Sequence, residues 1–191
     1  MNKPCLIIID MQKGMANTPA DSRNNPQAEE NIARLLQAWR AANGYVVHVR
    51  HISRSPDSPF APGQSGVDFQ EALQPLQHEH VVEKNVPDAF INTALERWLR
   101  VRDLDRIVLV GVSTNNSVEA SARTAGNLGF DTVVVSDATF AFAMTDYVGR
   151  MRSADEVHAM SLANLSGEYA TIRDTRTALA GLTAQPGPAI A

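Results

Sequence analysis

The run Leu6-Ile7-Ile8-Ile9 closes directly on Asp10. Four aliphatic residues in a row, three of them β-branched, read as a strand buried on both faces. Such a strand must lie between two covering layers. Tyr45-Val46-Val47-His48-Val49, Val81-Val82, Ile107-Val108-Leu109-Val110 and the stretch 132–135 read as further strands, and Tyr169-Ala170-Thr171-Ile172 as a sixth. Helical spacing fills the intervals. Ile32, Leu35, Leu36 and Trp39 mark a helix over 31–42, ended by Asn43-Gly44. A helix is expected over 88–100, with Phe90, Ile91, Leu95, Trp98 and Leu99 on its apolar face. Others are expected over 115–128, stopped by Gly129, over 153–164, and after a capping Asp174.

Buried strands alternating with helices imply a three-layer α/β/α fold around a doubly wound, mostly parallel sheet of about six strands. The 191 residues suit one domain spanning the chain. No internal repeat or linker divides it. The tail from Ala184, with its prolines, is expected to fray or dock on a partner.

Composition narrows function by exclusion. The net charge is -4 and no basic stripe stands out, which argues against nucleic acid as a partner. No apolar run is long enough to span a bilayer, and MNKPCLIIIDMQ reads as a first core strand without a cleavage site. The single cysteine, Cys5, allows no internal disulfide and fits a reducing, cytoplasmic setting.

In open parallel sheets ligands collect at the carboxyl ends of the strands. Asp10 ends the first strand there, Lys84 the third, and Ser113 to Ser117 follow the fourth, while Asp137 and Thr139 follow the fifth. A carboxylate after four aliphatic residues is either desolvated or paired. If Lys84 meets it, each favours the charged form of the other. Ser117 falls in the first turn of a helix, where unpaired N–H groups favour an anion or a developing oxyanion. Taken alone, Ser117 reads rather as a small polar first-turn residue beside a capping Thr114 or Asn115, since serine is common at helix starts.

Three stretches together resemble the isochorismatase-like superfamily, also called the cysteine hydrolases: LIIIDMQ, VVEKNVPDAFINTALERWL and IVLVGVSTNNSVEASARTAGNLGFDTVVVSDAT. Their order and spacing cover nearly the whole chain. The resemblance implies that Asp10 is a general base and Lys84 the second member of a catalytic triad. It also implies a cis peptide at Val112-Ser113, with the N–H groups of Ser113 and Ser117 forming an oxyanion hole. GVSTNNSVEASAR departs from the family pattern at one place: Ser117 stands where the nucleophilic cysteine belongs.

Serine is harder to deprotonate than a thiol with a pKa of about 8.5. Three functions therefore stay open. Ser117 attacks a C–N bond of an amide or ureide with Asp10 as base. Alternatively, Asp10 acts directly, as in isochorismatase-type vinyl-ether hydrolysis. Alternatively, the pocket binds a ligand without turnover. The first is favoured, because Asp10 and Lys84 are both in place. An engineered Cys-to-Ser replacement is a further explanation of the serine.

The nicotinamidases of this family hold a metal through a D-x-H element. HVRHISRSPDSPF lacks it, so neither metal nor organic cofactor is expected. Gln12, His51, Phe60, Thr114, Asn115 and Phe142 are candidates to contact a small-molecule substrate, with Gln64, Phe140 and Tyr147 nearby in the sequence. The resemblance also implies a homodimer or homotetramer.

Overall fold

A computed structural model describes residues 4–16 and 22–183, apart from the side chains of Ala16 and Thr183. In chain order its elements are β1 (Cys5–Ile9), α1 (Lys13–Ala16), α2 (Ala28–Ala41), β2 (Val46–His51), β3 (His80–Lys84), α3 (Leu95–Arg100) and β4 (Arg106–Val112). A π-helical turn (Thr114–Val118) leads into α4 (Glu119–Asn127). Then come β5 (Asp131–Phe140), β6 (Met144–Thr145), β7 (Met151–Arg152), α5 (Ala154–Leu165), β8 (Thr171–Arg173) and α6 (Thr175–Thr183).

Six strands form one parallel sheet in the order β3-β2-β1-β4-β5-β8, and β6 and β7 pair separately as an antiparallel hairpin. The order reverses between β1 and β4, the position where such sheets open a crevice. The alternation within β1 supplies both cores. Ile7 and Ile9 join Val47, Val49, Leu95, Leu99, Ala122 and Leu165 on the face covered by α3, α4 and α5. Leu6 and Ile8 join Leu36, Trp39, Val110, Phe140 and Ala178 on the face covered by α2 and α6. All five residues of β1 are buried, as a doubly covered central strand requires.

The expected helix over 88–100 is shorter. Local side chains take the backbone groups a helix would use: Asp88 Oδ1 accepts from Phe90 N–H at 2.7 Å and Thr93 Oγ1 donates to the Ala89 carbonyl at 2.7 Å. Asn92 is left-handed at φ 58°, so regular helix starts only at Leu95. The helix expected from 115 opens as the π-helical turn, and β5 runs on to Phe140, so Asp137 and Thr139 lie within it. At the end of α2, Asn43 rather than Gly44 takes the left-handed conformation, at φ 51°. The β6–β7 hairpin was not expected. The tail from Ala184 lies outside the described residues.

Candidate active site

The sheet's carboxyl edge brings Asp10, Lys84 and Ser117 together. Asp10 leaves β1 at φ 54°, a left-handed conformation that turns the chain where the strand ends. Its N–H still bonds Val49 O at 2.9 Å, so the carboxylate hangs from a fixed backbone. Lys84 ends β3 on the same face as Val82, with its stem in the core. Its ammonium donates to Asp10 Oδ2 at 2.7 Å and to Ser117 Oγ at 3.2 Å. Asp10 is 1% exposed, Lys84 3% and Ser117 6%.

Burial pushes the Asp10 carboxyl above its ordinary pKa; the Lys84 ammonium and a hydrogen bond with Ser117 oppose this without cancelling it. The second oxygen, Oδ1, is buried and has no hydrogen-bond partner among the described residues. A basic oxygen held out of water without a donor is ready to accept a proton.

Ser117 is placed by β4. Gly111, at φ +118°, sits so close to β1 that a Cβ there would meet Ile9 O at 2.1 Å. The Val112-Ser113 peptide that follows is cis. Val118 N–H and Asn116 N–H both return to Ser113 O, closing the turn that carries Ser117. The register between β4 and β5 shifts at Leu109/Gly111, beside this turn.

The other sequence candidates divide. His51, at the end of β2, packs edge-on to Phe60 with ring centroids 6.3 Å apart, and Phe60 lies over Gly14. Burial lowers the His51 pKa and Lys84 lowers it further, against an opposing pull from Asp10, so His51 stands neutral beside the pair. Gln12 is a strut and not a pocket wall. It is fully buried, accepts from His51 N–H at 2.8 Å, and donates to His51 O and Val67 O at 3.0 Å each. Its amide holds the end of β2 against the 3₁₀ turn at Ser65–Val67.

Thr114 is also fully buried and spent, on His158 Nδ1 at 2.9 Å. Asn115 points away, to Met144 Sδ at 3.5 Å, along a cleft beside α5. Phe142 packs edge-on to Phe140 on the α2 face.

Sequence reasoning missed a supporting group on α5. His158 is buried against Thr114 through Nδ1, and Asn25 Nδ2 lies 3.5 Å from its Nε2. Burial lowers its pKa, opposed by the Ser136 backbone and by Asp155. Ser161 Oγ reaches Thr114 O at 2.9 Å and Glu119 Oε2 at 2.6 Å. The turn bearing Ser117 is thus clamped to α5 by two side chains three residues apart, one helical turn. That spacing, H-x-x-S inside a helix, was the available signal. Among the described residues no group of three His, Cys, Asp or Glu is arranged to hold a metal. No described helix is long and apolar enough to cross a membrane.

The sequence model of the isochorismatase domain matches residues 4–177. The chain belongs to the isochorismatase family. YrdC, an isochorismatase family protein of Bacillus subtilis, is 39% identical over 173 residues, covering 91% of this chain and 92% of its own. A crystal structure of an isochorismatase family member from Chromobacterium violaceum superposes with a TM-score of 0.92 at 49% identity, covering 95% of this chain and 94% of that one. A more distant relative, nicotinamidase 3 of Arabidopsis thaliana, is 27% identical over 182 residues, 88% of this chain and 83% of its own. The chain is therefore an isochorismatase-family hydrolase, in a family with members named for amide hydrolysis.

Proposed function

We propose that this hydrolase cleaves a C–N bond of a small amide or ureide through an ester on Ser117. The observation that carries the reading is the double contact of Lys84 with Asp10 and Ser117. An ammonium donating to Ser117 Oγ stabilises the alkoxide that forms as the hydroxyl loses its proton. Asp10 takes that proton. Ser117 Oγ attacks the carbonyl carbon, and the Ser113 and Ser117 N–H groups hold the oxyanion. The C–N bond breaks as Asp10 returns the proton to the leaving nitrogen. Water, deprotonated by Asp10, then hydrolyses the ester and regenerates Ser117.

One observation favours a second reading. The unpartnered Asp10 Oδ1 suits direct proton transfer with substrate or water, with Ser117 only lining the pocket. In vinyl-ether hydrolysis of the isochorismatase type, a protonated Asp10 would deliver its proton to the vinyl carbon. Water would add to the resulting oxocarbenium carbon and return a proton to Asp10, and the C–O bond would then break to release the alcohol and the ketone. A panel of primary amides, ureides and isochorismate assayed against the wild type, Asp10→Asn and Lys84→Ala separates these readings. Amide turnover lost in both variants supports the first, and turnover of isochorismate alone supports the second. Tight ligand binding without turnover makes the protein a binding module.

Self-association belongs to the same proposal. Met144, Tyr147, Val148 and Met151 on the hairpin and Met160 on α5 are exposed apolar side chains, and Tyr147 is 99% exposed. Apolar surface of this kind marks interaction sites. Sedimentation should show a dimer or tetramer that Tyr147→Glu weakens.

A further inference from the structure

We propose that Ser121 is a positioning residue whose hydroxyl sets the contact between the Lys84 ammonium and Ser117 Oγ. This role rests on the hydrolase reading, in which that ammonium steadies the Ser117 oxygen.

The sheet alone specifies this contact loosely. β3 is an edge strand bonded only to β2, and both β2 and β1 stand between it and β4. Lys84 therefore meets the turn after β4 across two intervening strands. Past Lys84 the chain forms no helix or strand until Leu95. Phe90 anchors this stretch in the core against Phe130, but apolar packing has no direction. The directional ties come from α4 and the turn before it.

Ser117, Ser121 and Thr124 are spaced four and three residues apart, so they share one helical face. Each hydroxyl meets the segment 84–90 at a different place. Ser117 Oγ accepts from Lys84 Nζ at 3.2 Å. Ser121 Oγ accepts from Ala89 N–H at 2.9 Å and donates back to Ser117 O at 2.7 Å. Thr124 Oγ1 donates to Asp88 Oδ2, and Asp88 Oδ1 accepts from Phe90 N–H at 2.7 Å.

Ser121 is the rung that joins both sides. Its hydroxyl takes a backbone donor from the Lys84 side and gives its own proton to the carbonyl of Ser117. Ser121 and Ala89 are fully buried, so water does not stand in for either bond. Removing the hydroxyl strips Ala89 N–H of its acceptor, and the segment must shift to pair it again. Lys84 feels that shift at its ammonium, because 3.2 Å to Ser117 Oγ is already at the long end of hydrogen-bond range.

The test uses Ser117→Cys as a reporter, since a thiolate at this position registers the ammonium beside it. Lys84 and Asp10 touch the position and His51 stands beside them. The native Cys5 is buried with its pKa pushed up, so iodoacetamide reads the introduced thiol. The alkylation rate against pH gives the thiol pKa. Adding Ser121→Ala to the reporter should raise that pKa by about one pH unit, and adding Thr124→Val should raise it less. Thr124→Ser keeps the hydroxyl and should leave the pKa in place. Val134→Ala truncates the same core cluster away from the three hydroxyls and should not move it. With Ser117 intact, Ser121→Ala should lower kcat on a hydrolysed amide by about tenfold, with KM little changed. An unmoved thiol pKa in folded Ser121→Ala overturns the proposal, as does an equal rise in Val134→Ala. Should Ser121→Ala fail to fold, Thr124→Val decides in the same way. A raised thiol pKa in a protein that hydrolyses no amide leaves the positioning role standing and sinks the hydrolytic reading.

Discussion

Lys84 Nζ lies 2.7 Å from Asp10 Oδ2 and 3.2 Å from Ser117 Oγ, so one buried ammonium holds two groups that arrive from β1 and from the turn after β4. The pair is costly to bury and costly to break, since either partner alone would be an uncompensated charge in the core.

The first prediction concerns this pair. Burial raises the Asp10 pKa and Lys84 opposes the rise. A carboxyl with a raised folded-state pKa binds its proton more tightly when folded. Its ionisation therefore costs stability as pH rises from the ordinary carboxylate range through the raised value. Lys84→Met removes the opposing charge and moves the Asp10 titration to still higher pH. Carbon-detected NMR of the carboxyl should show the shift, and the acid limb of kcat/KM in the wild type should lie above an ordinary aspartate's.

A second prediction concerns the far end of β2. Glu79 is buried, which by itself would raise its pKa, but Arg40, the Leu76 N–H and His48 outweigh that and hold it at about 2. Arg40 Nε and His48 Nε2 lie 2.8 and 2.9 Å from its oxygens. A depressed carboxylate contributes stability above its unfolded pKa, and that contribution is lost as pH falls through the folded value. The melting temperature should therefore fall between about pH 4.5 and pH 2. Glu79→Gln should lower it at neutral pH and flatten that part of the curve.

Gly111 is irreplaceable on geometric grounds. A methyl group there meets Ile9 O at 2.1 Å and Ile9 N at 2.8 Å, both backbone atoms of the central strand, and φ is +118°. Gly111→Ala should cost on the order of 3 kcal/mol in urea unfolding and reduce the yield of folded protein.

His158 acts through Thr114 as a positioning residue. Its Nδ1 contact fixes Thr114, the first residue of the turn that carries Ser117. His158→Ala should lower stability by about 2 kcal/mol and reduce kcat by roughly tenfold, with KM little changed. His158→Asn, which can still bond Thr114, should restore part of kcat.

The sheet was legible because its signal is local. Runs such as Leu6–Ile9 and Ile107–Val110 declare strands buried on both faces, and strand order places Asp10 and Lys84 at one edge. Where non-local partners decide the outcome, the sequence gives little sign. Gln12 looked like a polar residue beside Asp10, yet its amide is consumed by His51 and Val67, the latter 55 positions away. Asn115 stands two residues before Ser117, but the π-helical turn aims it at Met144. The helix expected from Asp88 lost its first turns to side chains whose bonds to the backbone compete with helical ones.

The central claim is that Ser117 forms a covalent ester, and mass spectrometry of acid-quenched turnover tests it directly. With a hydrolysed amide present, peptide mapping should find the acyl group on Ser117 in the wild type. In Ser117→Ala the adduct should be absent and kcat should fall at least 10³-fold, the order expected when a nucleophile is removed. Unchanged turnover by Ser117→Ala, without any adduct in the wild type, would contradict the account and leave Asp10 as the group that acts on water or substrate.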